Sequence, residues 1–416
     1  MIRSYVKQES EMIAYRRIKN VLRIVTLVMG LFLTGAVLTA CGEDNNRNEA
    51  PVYFDIWGSY NHDGMLNVKE GFSYFTDLQS GESVCVCSRP ECGHDSGECD
   101  GYVSIDAQFL FMNDTNEFFL YRNRADDSYS LNDLIMVKAD RDGRNRKTLA
   151  VLEDAQNGID AAYDNGWFAL CYLKQFDFDE SSGRAGATPD LEKYKAGLYL
   201  VNTETGGIIP ADEEEGYDAM FCKAAIKDGK VYYLKWYCDQ KIDFDSGYDE
   251  GLRQQALYMH KSLCSYDIKT GKKKEIWTGS NESVKTMGSY FIIISEDGII
   301  YLDGEEEMEL KNREELDKYF DGGWSTQMYF TEECALFSYM ENIYHYDMET
   351  GKISVLADGK LDNAGITGID AVVGDTIYIY MKTENEGISV SNLYAVPLSD
   401  LLQGDISRAQ KMTDWE

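Results

Sequence analysis

From Pro51 onward the chain repeats one pattern: short apolar runs rich in Tyr, Val, Ile and Phe, separated by turns on Gly, Asp and Asn. Runs this short, bounded by turn residues, read as β-strands rather than helices. The last unit is the best formed, with runs at 366–373, 376–381, 392–398 and 409–413 and a Gly374–Asp375 turn after the first. Two earlier units match it. One has runs at 220–226, 230–236, 257–267 and 273–277, with Asp228–Gly229 between the first two. The other has runs at 159–163, 167–173, 197–202 and 207–210, with Asn165–Gly166 in the same place. The whole pattern divides into seven units, near 51–87, 102–153, 158–211, 218–279, 283–311, 324–358 and 364–413.

A second turn recurs after the third run. It is plain in Tyr346–Asp347–Met348–Glu349–Thr350–Gly351–Lys352, in Tyr266–Asp267–Ile268–Lys269–Thr270–Gly271–Lys272 and in Asn202–Thr203–Glu204–Thr205–Gly206. It is weaker at 77–81 and 140–143. The Asp carboxylate can cap such a turn, and the Gly supplies the positive φ it needs. Four antiparallel strands per unit, with these two turns, predict an all-β fold: a β-propeller of seven four-stranded blades. The fifth unit is short, which leaves six or eight blades open, and a pair of β-sandwiches is the competing arrangement. One helix is expected, an insertion at 312–320 between blades. Asn312 and Glu315 would form its capping box, Leu316, Tyr319 and Phe320 share a face, and Gly322–Gly323 ends it.

The units resemble TolB-like and other periplasmic or cell-surface β-propellers, whose third strand often ends in Asp-Gly or Thr-Gly, as at Asp142–Gly143. The resemblance covers most of 51–413 and implies fold more than function. The Tyr-Asp-x-x-Thr-Gly-Lys turns are also similar to quinoprotein repeats, which place a Trp four residues after the Gly. Cys85, Lys147, Pro210, Glu275 and Val355 hold that position here, so a quinone cofactor is not expected.

Ahead of the repeat, residues 1–40 read as a targeting segment. Arg16, Arg17, Lys19 and Arg23 precede an apolar run at 24–37, which is short for a bilayer span of ~20 residues. Leu38–Thr39–Ala40–Cys41–Gly42 resembles the lipobox of bacterial lipoproteins. That resemblance implies cleavage before Cys41, diacylglycerol on its sulfur, and a body held by lipid on the outer face of the cell membrane. The polar stretch 42–50 then serves as a tether, and 51–416 is the propeller. Apolar residues at 44 % support a large core. The net charge of −32 opposes nucleic acid or an anionic membrane surface as partner and suits cations, basic peptides or simple solubility.

The most specific local signal lies at 85–99, where Cys85, Cys87, Cys92, His94 and Cys99 share one loop. Thiolates and imidazole are tetrahedral zinc ligands, and a short loop using Cys87, Cys92, His94 and Cys99 can wrap one ion. An exported protein can equally close disulfides there, with three pairings open to four Cys, or keep free thiols. The loop resembles Cys-x4-Cys-x-His-x4-Cys segments after the first blade of uncharacterised bacterial lipoproteins, which implies no activity. Cys171, Cys222, Cys238, Cys264 and Cys334 lie in or beside strand-like runs and read as small buried hydrophobes.

Two acidic connections follow the second strand of successive units. One carries Asp177, Asp179 and Glu180; the other carries Asp243, Asp245, Tyr248, Asp249 and Glu250. Carboxylates two apart with aromatics between can coordinate Ca²⁺ or receive a basic partner, although each alone reads as a solvated hairpin tip. In a propeller these connections gather on one face near the channel, which makes that face the expected ligand face. The runs 213–215 and 305–307 read as solvated surface. No Gly-x-Ser-x-Gly elbow, P-loop, dinucleotide fingerprint or His-Glu-x-x-His is present. The expected role is therefore a binding or interaction module for a solute, glycan or protein. The alternative is a carboxylate-based glycan hydrolase or lyase on the channel face, for which 72 acids single out no pair.

Overall fold

The computed structural model describes residues 53–412 apart from 56–57, 62, 79, 123–132, 175–194, 216–218, 241, 244–247, 281, 321–327, 331–333, 341, 358–364, 386–387, 404 and 406. The targeting segment, Cys41, the tether, Asp177, Asp179, Glu180 and Asp245 lie outside the described residues, and only the backbone of Tyr248 lies within them.

Seven antiparallel sheets follow one another along the chain, and strands adjacent in sequence are adjacent in each sheet. Blade I holds Gly58–Tyr60, Gly64–Lys69, Phe72–Asp77 and Ser83–Cys85, and blade II holds Ala107–Met112, Asn116–Arg122, Leu134–Asp140 and Lys147–Leu152. Blade III holds Asn157–Asp164, Trp167–Lys174, Lys195–Asn202 and Ile208–Glu215. Blade IV holds Met220–Lys227, Lys230–Cys238, Met259–Asp267 and Lys273–Gly279, and blade V holds Ser283–Met287, Tyr290–Ser295, Gly298–Asp303 and Glu306–Glu307. Blade VI holds Met328–Phe330, Cys334–Tyr339, Asn342–Asp347 and Ile353–Ala357, and blade VII holds Gly365–Val373, Thr376–Asn385, Ile388–Pro397 and Gln410–Lys411. The arrangement is a seven-bladed β-propeller. The short fifth unit is a complete blade whose last strand has only two residues.

Blades stack face to face, so the first two strands of a blade are covered on both sides and read as continuous apolar runs. Trp167–Lys174 and Met220–Lys227 are buried throughout except at their ends. The outer strands meet water, and Lys273–Gly279 is accordingly rich in exposed charge. The ring closes through side chains: the Tyr60 hydroxyl donates to Asp370 Oδ2 at 2.6 Å, and its ring lies 4.6 Å from that of Tyr378. Among the described residues no strand of blade I enters the sheet of blade VII.

Blade I carries one strand more than expected. Tyr53–Asp55 pairs with the innermost strand in the register Tyr53↔Tyr60 and Asp55↔Gly58. Phe54 is thereby driven across to Phe109 and Phe111 of blade II and Phe168 of blade III, with ring centroids 6.1, 5.4 and 5.9 Å away.

The recurrent third-strand turn has the geometry its sequence predicts. Asp347 Oδ1 accepts the Thr350 N–H at 2.7 Å, and Gly351 N–H donates to Asp347 O at 2.8 Å with a φ of 71° at the glycine. Asp77, Asn202 and Asp267 cap their turns in the same way. These turns also join blades. A Cβ on Gly351 would stand 2.5 Å from Lys311 O, in the linker after blade V. Gly206 meets Leu149 of blade II, Gly143 meets Asp100 and Val86, and Gly81 meets Gln410 and Lys411 of blade VII.

Three helices are described, and two correct the expectation. α1 (Tyr248–Tyr258) replaces the loop expected around Tyr248 and Asp249, and the next strand begins at Met259 rather than at 257. Leu252, Arg253, Gln254, Gln255, Ala256 and Leu257 are all good helix formers, and their propensity wins over the apolar run of the strand. α2 (Arg313–Asp317) is shorter than 312–320, and its capping box is not made. Asn312 has φ 52° and ψ 36°, a left-handed conformation that turns its side chain away, and its Nδ2 donates to Gly351 O at 3.2 Å. Glu315 pairs with Lys318 instead. Leu316 and Phe320 are buried as the helix face requires, while Gly322 and Gly323 lie outside the described residues. α3 (Leu398–Leu401) is a single turn before the last strand.

Candidate functional site

The outer strand of blade I ends at Cys85, and the chain then returns along the same edge. Val86 N–H donates to Ser73 O at 2.9 Å, Ser73 N–H donates to Gly101 O at 2.8 Å, and Tyr102 bridges to Phe72. These contacts pin both ends of the loop 87–99. Within it Cys87, Cys92, His94 and Cys99 bring their sulfur and ring-nitrogen atoms within 4.8 Å of one another. His94 Nδ1 lies 3.3 Å from Cys99 Sγ, and Gly101 N–H donates to the same sulfur at 3.3 Å. Cys99 is buried and the other three are half-buried. No disulfide joins these cysteines among the described residues, and four of the loop's donor atoms gather about one point. Cys85 stays out of this set and packs against Gly101.

Burial pushes the Cys99 thiol up to about 12; the Gly101 N–H opposes the rise, and Cys92 and Cys87 beside it add to it. Burial also acts to raise Cys87, but the Arg89 N–H, the Cys99 contact and the Asp100 N–H outweigh it, and its thiol lies below the ordinary value. Three crowded sulfurs and an imidazole form a set that a divalent cation would neutralise. The cluster can hold a metal ion. Its setting is rigid: Asp100 Oδ2 accepts from Ser88 Oγ at 2.9 Å and pairs with Arg89 Nε at 3.3 Å. Arg146 of blade II donates to the carbonyls of Asp100, Tyr102 and Gly143.

The acidic connection of blade IV is organised by α1. Asp243 N–H donates to Gln254 Oε1 at 2.9 Å, while Glu250 accepts from Arg253 and Gln254. Asp243 and Asp249 are exposed. Among the described residues these acids do not converge as a set of three metal donors, whereas the cysteine loop does. The run at 305–307 is not simply solvated: Glu305 accepts from Lys230 at 2.7 Å, Lys274 at 2.6 Å and Ser265 at 2.9 Å, all of blade IV.

Sequence reading missed a cavity of about 230 Å³ between blades IV and V, lined by Cys222, Lys223, Leu234, Trp236, Lys261, Glu282, Ser283 and Val284. Trp236 and Lys261 are cross-strand partners, with two further pairs between them and the connection that carries α1, so the cavity lies at the expected ligand end. Lys261 Nζ donates to Glu282 O at 2.6 Å and sits 5.1 Å from the centroid of the Trp236 ring. Lys223 is 8 % exposed and has a φ of 60° within a bulge between Cys222 and Ala225. The signal in the sequence was a lone Lys inside the apolar run Phe221–Cys222–Lys223–Ala224–Ala225–Ile226.

No protein-family model matches the chain, and no curated protein matches it. Solved structures similar to it include the β-propeller domain of the Trilobed protease from Pyrococcus furiosus, with 12 % identity, a TM-score of 0.48 and coverage of 90 % of this chain and 98 % of that one. An acylaminoacyl peptidase from Pyrococcus horikoshii shares 13 % identity at a TM-score of 0.49, with 93 % of this chain covered. The chain spans 54 % of the length of that peptidase. An oligogalacturonate lyase aligns at 10 % identity and a TM-score of 0.34, over 86 % of this chain and 79 % of that one. The chain's own seven successive antiparallel sheets make it a seven-bladed β-propeller.

Proposed function

We propose that the chain is a lipid-anchored, extracytoplasmic binding module with a TolB-like propeller body, and that its cysteine loop holds a structural zinc ion. Lipidation at Cys41 and placement on the outer face of the cell membrane rest on the lipobox-like 38–42. The observation that carries the binding role is the contrast between the two ends of the ring. One end is made of short capped turns docked blade on blade, while the other bears the α1 connection and the cavity between blades IV and V. A solute, glycan or protein is the ligand class, and nucleic acid is disfavoured by charge. Zn²⁺ is the ion that three soft thiolates and one imidazole favour.

Purified protein should bind members of a glycan and peptide panel without turning them over. Turnover that disappears on changing one carboxylate would establish the hydrolase or lyase alternative instead. Protein prepared without added metal should carry one zinc per chain by elemental analysis, and Cys92→Ser should lose it. A metal-free wild-type protein with its loop thiols oxidised overturns the zinc assignment. Labelling of cells with an alkyne fatty acid should mark the wild-type chain and not Cys41→Ser; equal labelling of both overturns the anchor.

A further inference from the structure

We propose that the cavity between blades IV and V binds a small organic anion, a carboxylate with an apolar body, held by the Lys223 and Lys261 ammonium groups beside the Trp236 ring. The inference rests on the reading of this end of the ring as the ligand end.

Lys223 stands in the innermost strand of blade IV, where burial of a charged group is unfavourable unless it is compensated. The strand accommodates it by a bulge and a left-handed backbone, a conformation strained for a non-glycine residue. Such strain persists only when neighbours enforce it, and Asp160 of blade III does so. Its Oδ2 accepts the Lys223 N–H at 2.6 Å, and its Oδ1 accepts the Ala161 N–H at 2.8 Å. A bulge re-aims a side chain, and this one makes Lys223 part of the cavity wall. Asp160 is a positioning residue in this arrangement.

Each ammonium lies within electrostatic reach of one carboxylate, Lys223 of Asp160 and Lys261 of Glu282. Among the described residues neither Lys223 nor Lys261 forms an ion pair. The Asp160 carboxylate is engaged by backbone N–H groups, and Glu282 Oε2 accepts the Ser280 N–H at 2.6 Å. Lys261 donates to a carbonyl, Glu282 O; burial lowers its pKa more than the nearby Glu282 carboxylate raises it, so an anion beside it would recover solvation it has lost. Two cations in one cleft of a chain with net charge −32 are not explained by solubility. Leu234, Val284 and the indole of Trp236 supply an apolar wall, and Ser283 adds a hydroxyl. The volume lies below the ~300–1,000 Å³ of drug-sized pockets, so the ligand is small.

Titration of the full chain in detergent with benzoate, benzamide and inorganic phosphate, followed by heat and by Trp fluorescence, tests this. Benzoate should bind saturably, and its neutral isostere benzamide about tenfold more weakly or less, the loss of one charge-assisted hydrogen bond. Lys223→Met should weaken benzoate by a similar factor, and Lys223→Arg should retain binding. Lys261→Gln, on a regular strand, supplies the same test should Lys223→Met fail to fold. Benzoate bound no more tightly than benzamide, binding indifferent to both substitutions, or no saturation at millimolar concentration overturns the proposal. Phosphate bound with benzoate excluded overturns the ligand class. A glycan or protein ligand whose binding survives Lys223→Met leaves the ligand-face reading standing while removing this site.

Discussion

Glu117 shows what a single position can demand of the fold. It lies on the second strand of blade II with 0 % exposure, its carboxylate facing the Ser73 side chain. Burial pushes its pKa from 4.5 to about 7, while Ser73 and Arg146 nearby hold it down. The raised folded value means that the native state binds the proton more tightly than the unfolded chain. Stability is therefore undiminished below about pH 4.5, falls as pH rises through about 7, and levels off above that. The full penalty is on the order of 3 kcal/mol. Glu117→Gln should melt at higher temperature than wild type at pH 8, with the gap closing toward pH 4.5; a gap independent of pH would contradict this. Lys223 carries the same lesson with the opposite charge. Neither residue was legible as special in the sequence, because a lone charge in a strand reads as an outward-facing position until the neighbouring blade is seen to cover it. Cys87, Cys92, His94 and Cys99 were legible as a cluster because they crowd into one short loop, whether for a metal or for disulfides.

At the scale of the element, the alternation of runs and turns gave blade limits within a few residues, since period and turn chemistry are local properties of the chain. What lay beyond local reach was read less well. Local pattern reads α1 as loop and strand, and it offers Asn312 a capping role that its contact with Gly351 O prevents. The extra strand Tyr53–Asp55 had no signal of its own, because only Phe109, Phe111 and Phe168 on other blades define its place. The recurrent turn was first a mark of the repeat and is also a joint. Gly351→Val would impose a β-branched side chain on a φ of 71° and set its Cβ 2.5 Å from Lys311 O. The variant should lose at least ~2 kcal/mol of stability by denaturant titration, with ligand affinity of the folded fraction unchanged. A fully stable variant would show that the joint yields.

The whole molecule is a ring assembled from seven contiguous pieces; the chain itself runs across six of the joints, while the last blade and the first meet only through non-covalent contacts. Tyr60 is central there, through its hydroxyl on Asp370 and its ring against Tyr378. Tyr60→Phe keeps the ring contact and removes a buried hydrogen bond to a carboxylate, and it should destabilise the protein by about 1.5–3 kcal/mol in thermal or denaturant unfolding. An effect within experimental error would mean that closure is carried by packing alone. The same seam bears on mechanics. With no strand shared between blades I and VII among the described residues, a load applied between residues 53 and 412 falls on side-chain contacts rather than on a sheet's ladder of backbone hydrogen bonds. Under tension the circle would part at that one place and open as an arc of intact blades, which makes the seam the molecule's mechanical fuse.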